Sequence, residues 1–357
     1  MQNSQTEYTI VKSSASNEEL EKYLECFERN GTKRSMENLQ WLHHQNLVHD
    51  NAIYYAMQGD ALAGIYTALP VIFKINDRLL PGLQSIDTLT DIDHRGKGLF
   101  IKLANRLYDD EAANKFALVY GIPNENSAPG FFTKLKWTSF GEAPFLLKPF
   151  NIFFFVKKVF KRKKQTDFSW SNYIFDAPKT YQVDRNTVIR SIDLFDDSYD
   201  KMWKVAGKDI KVCVDRGAAY MNWRYVTKPA EFYYRYGLYI NDQLSGAIVF
   251  TIKHKHDGLV GYIMELIFDP ANKKAGDQLM KFSSRLCRQH KVDAMLAWSL
   301  PGCFNRATYK KAGYYTLPEK FRGQQLYFGV RAFDPSIAPL VNDINNWYMS
   351  YSDSDTA

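Results

Sequence analysis

Arg95-Gly96-Lys97-Gly98 joins the two properties that a site for a large anion needs: positive charge, and a backbone with no side chain in the way. The flanking residues tell what the loop connects. From Gln84 to Ile92, Ile86, Thr88, Thr90 and Ile92 alternate with other side chains, which predicts a strand. Behind the loop Leu99, Leu103 and Leu107 recur at helical spacing, and Phe100 and Ala104 widen the stripe. A loop that opens a helix faces N–H groups without internal partners and the positive end of the helix dipole. Each charge-assisted hydrogen bond is worth roughly 1.5–3 kcal/mol, so a few of them would hold a pyrophosphate. Upstream on the same strand lies a carboxylate, Asp87. It is a candidate for taking up a proton, and the competing reading is a structural carboxylate that caps a nearby loop. A solvated aspartate has a pKa of about 3.9, so work as a base requires burial or a relaying water.

A sheet must position these residues. Tyr8 to Lys12 is expected to be a short strand. Asn17 to Glu28 reads as a capped helix with Leu20, Tyr23, Leu24 and Phe27 on one face, and Ser35 to Leu47 as a helix carrying Leu39, Trp41 and Leu42. Asn51 to Met57 and Leu62 to Ile75 form a meander, turned at Gln58-Gly59-Asp60 and Asn76-Asp77. Phe116 to Gly121 is a further apolar strand, followed by Pro123-Asn124-Glu125-Asn126-Ser127 and a short helix ending near Trp137. The second half repeats this order. Phe232 to Ile240, Leu244 to Lys253 and Leu259 to Phe268 read as strands, Gly276 to His290 as a helix, Asp293 to Ser299 as a strand and Phe304 to Ala312 as a helix. Where the second copy should have its loop it reads Asp269-Pro270-Ala271-Asn272-Lys273-Lys274-Ala275-Gly276-Asp277. The arginine and first glycine are missing and Asp277 adds negative charge, so one anion site per chain is expected, in the first copy.

A chain of 357 residues has room for two domains with separate cores. The expected divisions are 1–149, a linker over 150–184, a second domain over 185–335 and a tail over 336–357. Of the net charge of +7, six positive charges sit at Lys157, Lys158, Lys161, Arg162, Lys163 and Lys164, leaving +1 for the rest. That is a local tag and not a nucleic-acid-binding face. Because Ile152 to Phe155 precede it, residues 151–164 read either as an amphipathic segment on an anionic bilayer or as a linker whose aromatics pack on a domain. Cys26, Cys213, Cys287 and Cys303 are too scattered for a zinc ribbon or a disulfide framework. His43, His44 and His49 are expected at polar surface positions and His254 and His256 on a hairpin flank, so no metal is expected. No signal segment and no membrane span are expected, and the cytoplasm is the expected location, with the inner face of the membrane if 151–164 binds lipid.

The loop matches the Arg/Gln-x-x-Gly-x-Gly/Ala pattern of the GNAT acyltransferases at Arg95 and Gly98, while Phe100 departs from its final small residue. Together with the element order this resembles the cofactor-binding half of that family. Ser85-Ile86-Asp87-Thr88, Asp93 to Phe100, Tyr120 to Ser127 and Asn222-Trp223-Arg224-Tyr225 resemble the two-domain GNAT proteins of bacterial surface-polysaccharide biosynthesis. The resemblance implies an α/β fold of two tandem GNAT-like domains, each a mixed sheet flanked by helices. It also implies acyl transfer from acetyl-CoA to a primary amine, most simply an amino sugar. The alternatives are a protein or peptidoglycan amine, or a GNAT-shaped binding protein without activity. Pantetheine would lie along Leu89, Thr90 and Asp91, and the pyrophosphate on Arg95, Gly96, Lys97, Gly98, Leu99 and Phe100, with Asn126 nearby. Asp87 would be the base. The family's usual acid is a tyrosine five residues before Trp137, where this chain has Phe132, so the thiolate is expected to leave unaided or to take a proton from Tyr120 or water. Trp41 would help frame the acceptor site, and Trp223, Arg224 and Tyr309 are expected to reach it from the second domain.

Overall fold

The structure is a computed structural model that describes residues 7–154, 171–255, 258–318, 322 and 324–354. The chain divides into two units, Met1–Ala143 with Gln324–Ile344, and Pro144–Gly323 with Asn345–Ala357.

In the first unit the sheet is built from β1 (Thr9–Lys12), β2 (Ala52–Gln58), β3 (Ala61–Ile75), β4 (Arg78–Thr90), β5 (Leu118–Gly121) and β6 (Thr138–Glu142). They lie in the order β1-β2-β3-β4-β5, then the strand Tyr327–Ala332, then β6. β4 and β5 run parallel and the other neighbours antiparallel, so the sheet is mixed. β4 begins earlier than its alternation suggests, because the turn at Asn76, with φ 51, sends it straight back along β3 from Arg78. Side chains alternate between the faces. Tyr54, Tyr66, Leu83 and Val119 pack under Leu99, Leu103 and Leu107 of α3 (Leu99–Ala113). Ile53, Tyr55 and Ile65 face the other way, toward Leu20, Tyr23 and Phe27 of α1 (Asn17–Arg29) and Leu39 of α2 (Met36–His44). The start of α1 is set by a capping box, with Ser16 accepting from the Glu19 N–H.

In the second unit the strand order is Tyr315–Thr316, Phe145–Pro149, Ala294–Trp298, Gly258–Phe268, Gln243–Lys255, Tyr234–Ile240, Thr187–Ser191 and Thr180–Asp184. Phe268, Leu279, Met280, Leu286 and Met295 lie in its core, where the helix Lys273–Gln289 covers the sheet. The units are therefore not the contiguous halves that the sequence suggests. β5 has only four residues, and its outer edge needs hydrogen-bond partners; the strand from Tyr327 supplies them. Phe145–Pro149 does the same for Ala294–Trp298. Part of the expected linker is also built in, since Phe175 stacks on Tyr234 and on His290. Residues 155–170, with all six clustered cations, lie outside the described residues, as does His256. Among the described residues no helix is long and apolar enough to cross a membrane.

The two sheets repeat one another in register. β4 pairs with β3 up to Thr90 opposite Gly64, and Gly258–Phe268 pairs with Gln243–Lys255 up to Phe268 opposite Gly246. Both ladders then shift by one extra residue at the same distance from these glycines, between Tyr66 and Ala68 and between Val249 and Phe250. Both parallel ladders stop at the matching place, Ser85 with Gly121 and Ile263 with Ala297.

Candidate functional site

Beyond Ser85, β4 stays paired with β3 and leaves β5, so the two parallel strands splay from Ile86 onward. The splayed end carries Asp87, Leu89, Thr90 and Asp91 into the glycine loop. There Gly96 and Gly98 have φ of 77° and 71°, in the left-handed region that a side chain resists, and Gly98 is the N-cap of α3. No side chain caps that helix and no acidic residue stands in its first turn. Arg95 to Gly98 are exposed, and the Arg95 guanidinium leans back on the Thr90 carbonyl, 3.5 Å away. The loop is anchored from behind. Arg29 and Asn30, at the end of α1, reach the Asp91 carboxylate at 3.0 and 3.1 Å, and the Asp91 N–H donates to Ala63. Burial pushes the Asp91 pKa up, but hydrogen bonds from the Asp93 N–H, Asn30 and Arg29 outweigh it and hold the carboxyl below its usual range. Phe100, the departure from the family pattern, packs its ring on Phe131 and over Gly130, where a Cβ would come within 2.4 Å of it. The bulk at position 100 is matched by a missing side chain at 130.

Asp87 points toward α1 and is buried. It accepts from the Tyr23 hydroxyl at 2.6 Å and from both Nη2 and Nε of Arg34, at 2.6 and 3.3 Å. Arg34 lies over the Phe27 ring and is the more exposed member of the pair, at 32% against 7% for Asp87. Burial and the charge of Asp87 push the Tyr23 phenol well up, so it stays protonated and donating. Nearby, the interior of α2 holds a residue that the sequence places at the surface. His43 is only 4% exposed, and neither ring nitrogen has a hydrogen-bond partner among the described residues. Burial pushes the imidazole down to about 4, against the opposing pull of Asp87. His44 does keep the expected exposure, with Nε2 2.7 Å from the Ala15 carbonyl oxygen.

The second unit has the same arrangement and closes it. Counting from the matched pairs, Glu265 stands where Asp87 does, and Arg216 bonds it at 2.9 Å. Arg34, Trp41 and His43 recur at the same spacing as Arg216, Trp223 and Tyr225. In this copy the end of the chain fills the site. Ser350 and Ser352 each donate to Glu265 at 2.8 Å, Tyr348 donates to its other oxygen, and Asp353 takes Arg216 at 2.6 Å. The glycine loop is missing too. Four residues, Asp269 to Asn272, join strand to helix where the first unit uses eight, Asp91 to Gly98. Asp269 accepts from Ala271 within that turn, and Asp277 is paired with Lys311.

Residues 10–140 match the family model of the acetyltransferase (GNAT) domain. That span holds α1, α2, Asp87 and the whole glycine loop. No protein of curated function matches the sequence. Solved structures share the fold over nearly the whole chain. One is a GCN5-related N-acetyltransferase from Anabaena variabilis, with TM-score 0.62 and 14% identity, covering 94% of this chain and 75% of that one. The N-myristoyltransferase of Saccharomyces cerevisiae with bound myristoyl-CoA aligns with TM-score 0.58 and 11% identity, over 90% and 82% of the two chains. A probable N-acyltransferase of Enterococcus faecalis aligns with TM-score 0.60 and 12% identity, over 92% and 73%. The architecture is two tandem GNAT-like units with mixed sheets.

The other expected residues are spread out. Tyr120 is buried in the sheet with its ring against Phe73 and Phe328. Asn126 is exposed, and its N–H is bound by Asn124, whose side chain organises that turn through Asn126 and Ser127. Trp41 is buried in α2. Trp223, Arg224 and Tyr309 belong to the interior of the second unit: Trp223 packs on Tyr220, Arg224 donates to the Ser354 carbonyl, and Tyr309 packs on Tyr314. Tyr23, Arg34 and His43 are the residues that sequence reasoning missed. The signal for two of them was the repeated spacing of arginine, tryptophan and a polar ring in the two halves.

Proposed function

We propose that the chain is an acyl-CoA-dependent N-acyltransferase with one acyl-CoA site, in the first unit, and that acetyl-CoA is the donor. The observation that carries this reading is the splayed β4 running into a loop whose two glycines adopt positive φ at an uncapped helix start. Pantetheine lies along the free edge of β4 at Leu89, Thr90 and Asp91, and the pyrophosphate on Arg95 to Phe100. Asn126 flanks it. The acceptor is a primary amine, an amino sugar of surface-glycan synthesis being the leading class, and it meets the thioester beside Asp87. The short turn and internal capping in the second unit support a single site. Calorimetry with acetyl-CoA tests this: a stoichiometry near one is expected, two equivalent sites would overturn the assignment, and no binding would remove the function. Thiol release against a panel of amino-sugar nucleotides tests the acceptor class.

A second feature favours contact with an anionic bilayer. Ile152 and Phe153 are 70% and 71% exposed immediately ahead of the basic run. Co-sedimentation with anionic but not neutral vesicles is expected; equal recovery with both would remove the electrostatic part.

A further inference from the structure

His43 is a buried polar ring with no hydrogen-bond partner among the described residues, and it feels the charge of Asp87, a carboxylate that has a counterpart in the second unit. That counterpart shows what the position is shaped to hold. In the second unit Tyr225, at the place of His43, is hydrogen-bonded to Ser352 Oγ, and the same oxygen donates to Glu265, at the place of Asp87, over 2.8 Å. One small polar group thus bridges the ring and the carboxylate. The donors and acceptors differ between the copies in an informative way. Tyrosine can donate and glutamate accepts, which suits a hydroxyl with one hydrogen. A neutral imidazole nitrogen and Asp87 both accept, which suits a group with several hydrogens, such as an amine.

We propose that the acceptor's amine nitrogen is held between His43 and Asp87, at the place that Ser352 Oγ takes in the second unit, and that His43 removes its proton. This rests on the acyltransferase reading above and names the residues that receive the acceptor. The ammonium donates to Asp87 and to a His43 ring nitrogen, and one proton passes to His43, freeing the nitrogen lone pair. The new N–C bond forms as the C–S bond breaks, the nitrogen's second proton goes to the departing thiolate, and His43 returns its proton to solvent. One thioester and one ammonium become one amide, one thiol and one released proton. The charged and titratable groups that act on His43 are Asp87 from β4 and the adjoining His44, and Asp87 is in turn bonded by Tyr23 from α1 and Arg34 ahead of α2. Asp87 stabilises the imidazolium as it forms, while Tyr23 and Arg34 hold that carboxylate in place.

Ethanolamine is the probe, since it offers a primary amine without assuming the natural acceptor. With the full chain saturated with CoA, ethanolamine should shift the ring signals of His43 in nitrogen-labelled histidine spectra. With acetyl-CoA, His43→Gln and His43→Tyr should lower kcat/KM for aminolysis by on the order of 10²–10⁴ and leave CoA affinity unchanged. The tyrosine variant copies the residue of the second unit, and its melting temperature reports whether the fold survives. The acid limb of the pH–rate profile should move in the glutamine variant. Unshifted His43 signals, or a folded His43→Tyr protein with wild-type aminolysis and an unchanged profile, would overturn the inference. Failure of the wild-type protein to bind acetyl-CoA would instead overturn the acyltransferase reading itself.

Discussion

Asp87 and Glu265 hold the same register position in two sheets that share a bulge, a splay and an arginine ahead of a tryptophan. Their surroundings have opposite character. Glu265 accepts from Arg216, Tyr348, Ser350 and Ser352, and Arg216 is fully buried between it and Asp353. Asp87 accepts from Tyr23 and from a partly exposed Arg34, and the His43 ring that feels its charge has no hydrogen-bond partner among the described residues. A buried ion pair is tolerated when every remaining lone pair is satisfied. The second unit meets that condition with its own chain, which makes its copy a structural joint. In the first unit the same carboxylate and arginine lie near a histidine that has no partner among the described residues, on the strand that leads into the glycine loop. The scaffold is common to both, and what surrounds the carboxylate differs.

The contrast can be broken at several points, with effects of decreasing size. Gly98→Glu sets a charge and a side chain at a φ of 71° where the pyrophosphate would rest, and should abolish acetyl-CoA binding by calorimetry. A variant that binds normally would separate the loop from the site. Next, Asp87→Asn should lower kcat/KM by on the order of 10²–10⁴ with CoA affinity kept, and Glu265→Gln should act on folding instead. Uncovering Arg216 should cost about 3–5 kcal/mol in denaturant melts. If the two variants lose stability equally and activity is untouched by Asp87→Asn, both carboxylates are joints. Ser352→Ala, which removes the bridging hydroxyl, should cost about 1 kcal/mol of stability. The smallest effect concerns Asp91. Its folded pKa is depressed, so its contribution to stability is present above the unfolded value and is lost as pH falls through the folded one. Asp91→Asn should flatten the acid side of the stability profile below about pH 4, the ordinary carboxylate range; an unchanged slope would mean that its hydrogen bonds do not favour the charged form.

Much of the first unit was legible because its signals are local. The Leu99, Leu103 and Leu107 stripe, the Gly96 and Gly98 pair and the turn at Asn76 each depend on neighbours in sequence, and each lies where the pattern placed it. The duplication was legible as well, from a repeated element order. What failed were judgements that depend on long-range packing. His43 reads as a surface residue because its ring is polar; it shares a face of α2 with Leu39, and how deeply that face is covered is decided by the sheet and α1 packed against it. Tyr120 reads as an available hydroxyl, yet it is a core residue between Phe73 and Phe328.

By itself the sequence determined the strand-loop-helix with its charge and glycines, and the loss of that loop in the second half, because backbone freedom and helix periodicity are properties of consecutive residues. Only the tertiary structure decided that Tyr327–Ala332 completes the first sheet and Phe145–Pro149 the second, since an open strand edge takes whichever partner the fold brings to it. It alone brought Tyr23, Arg34 and Asp87 together from positions up to 64 residues apart. It alone also brought Ser350, Ser352 and Asp353 onto Glu265 and Arg216, because the need to satisfy a buried charge is met by proximity in space and not by spacing in the chain.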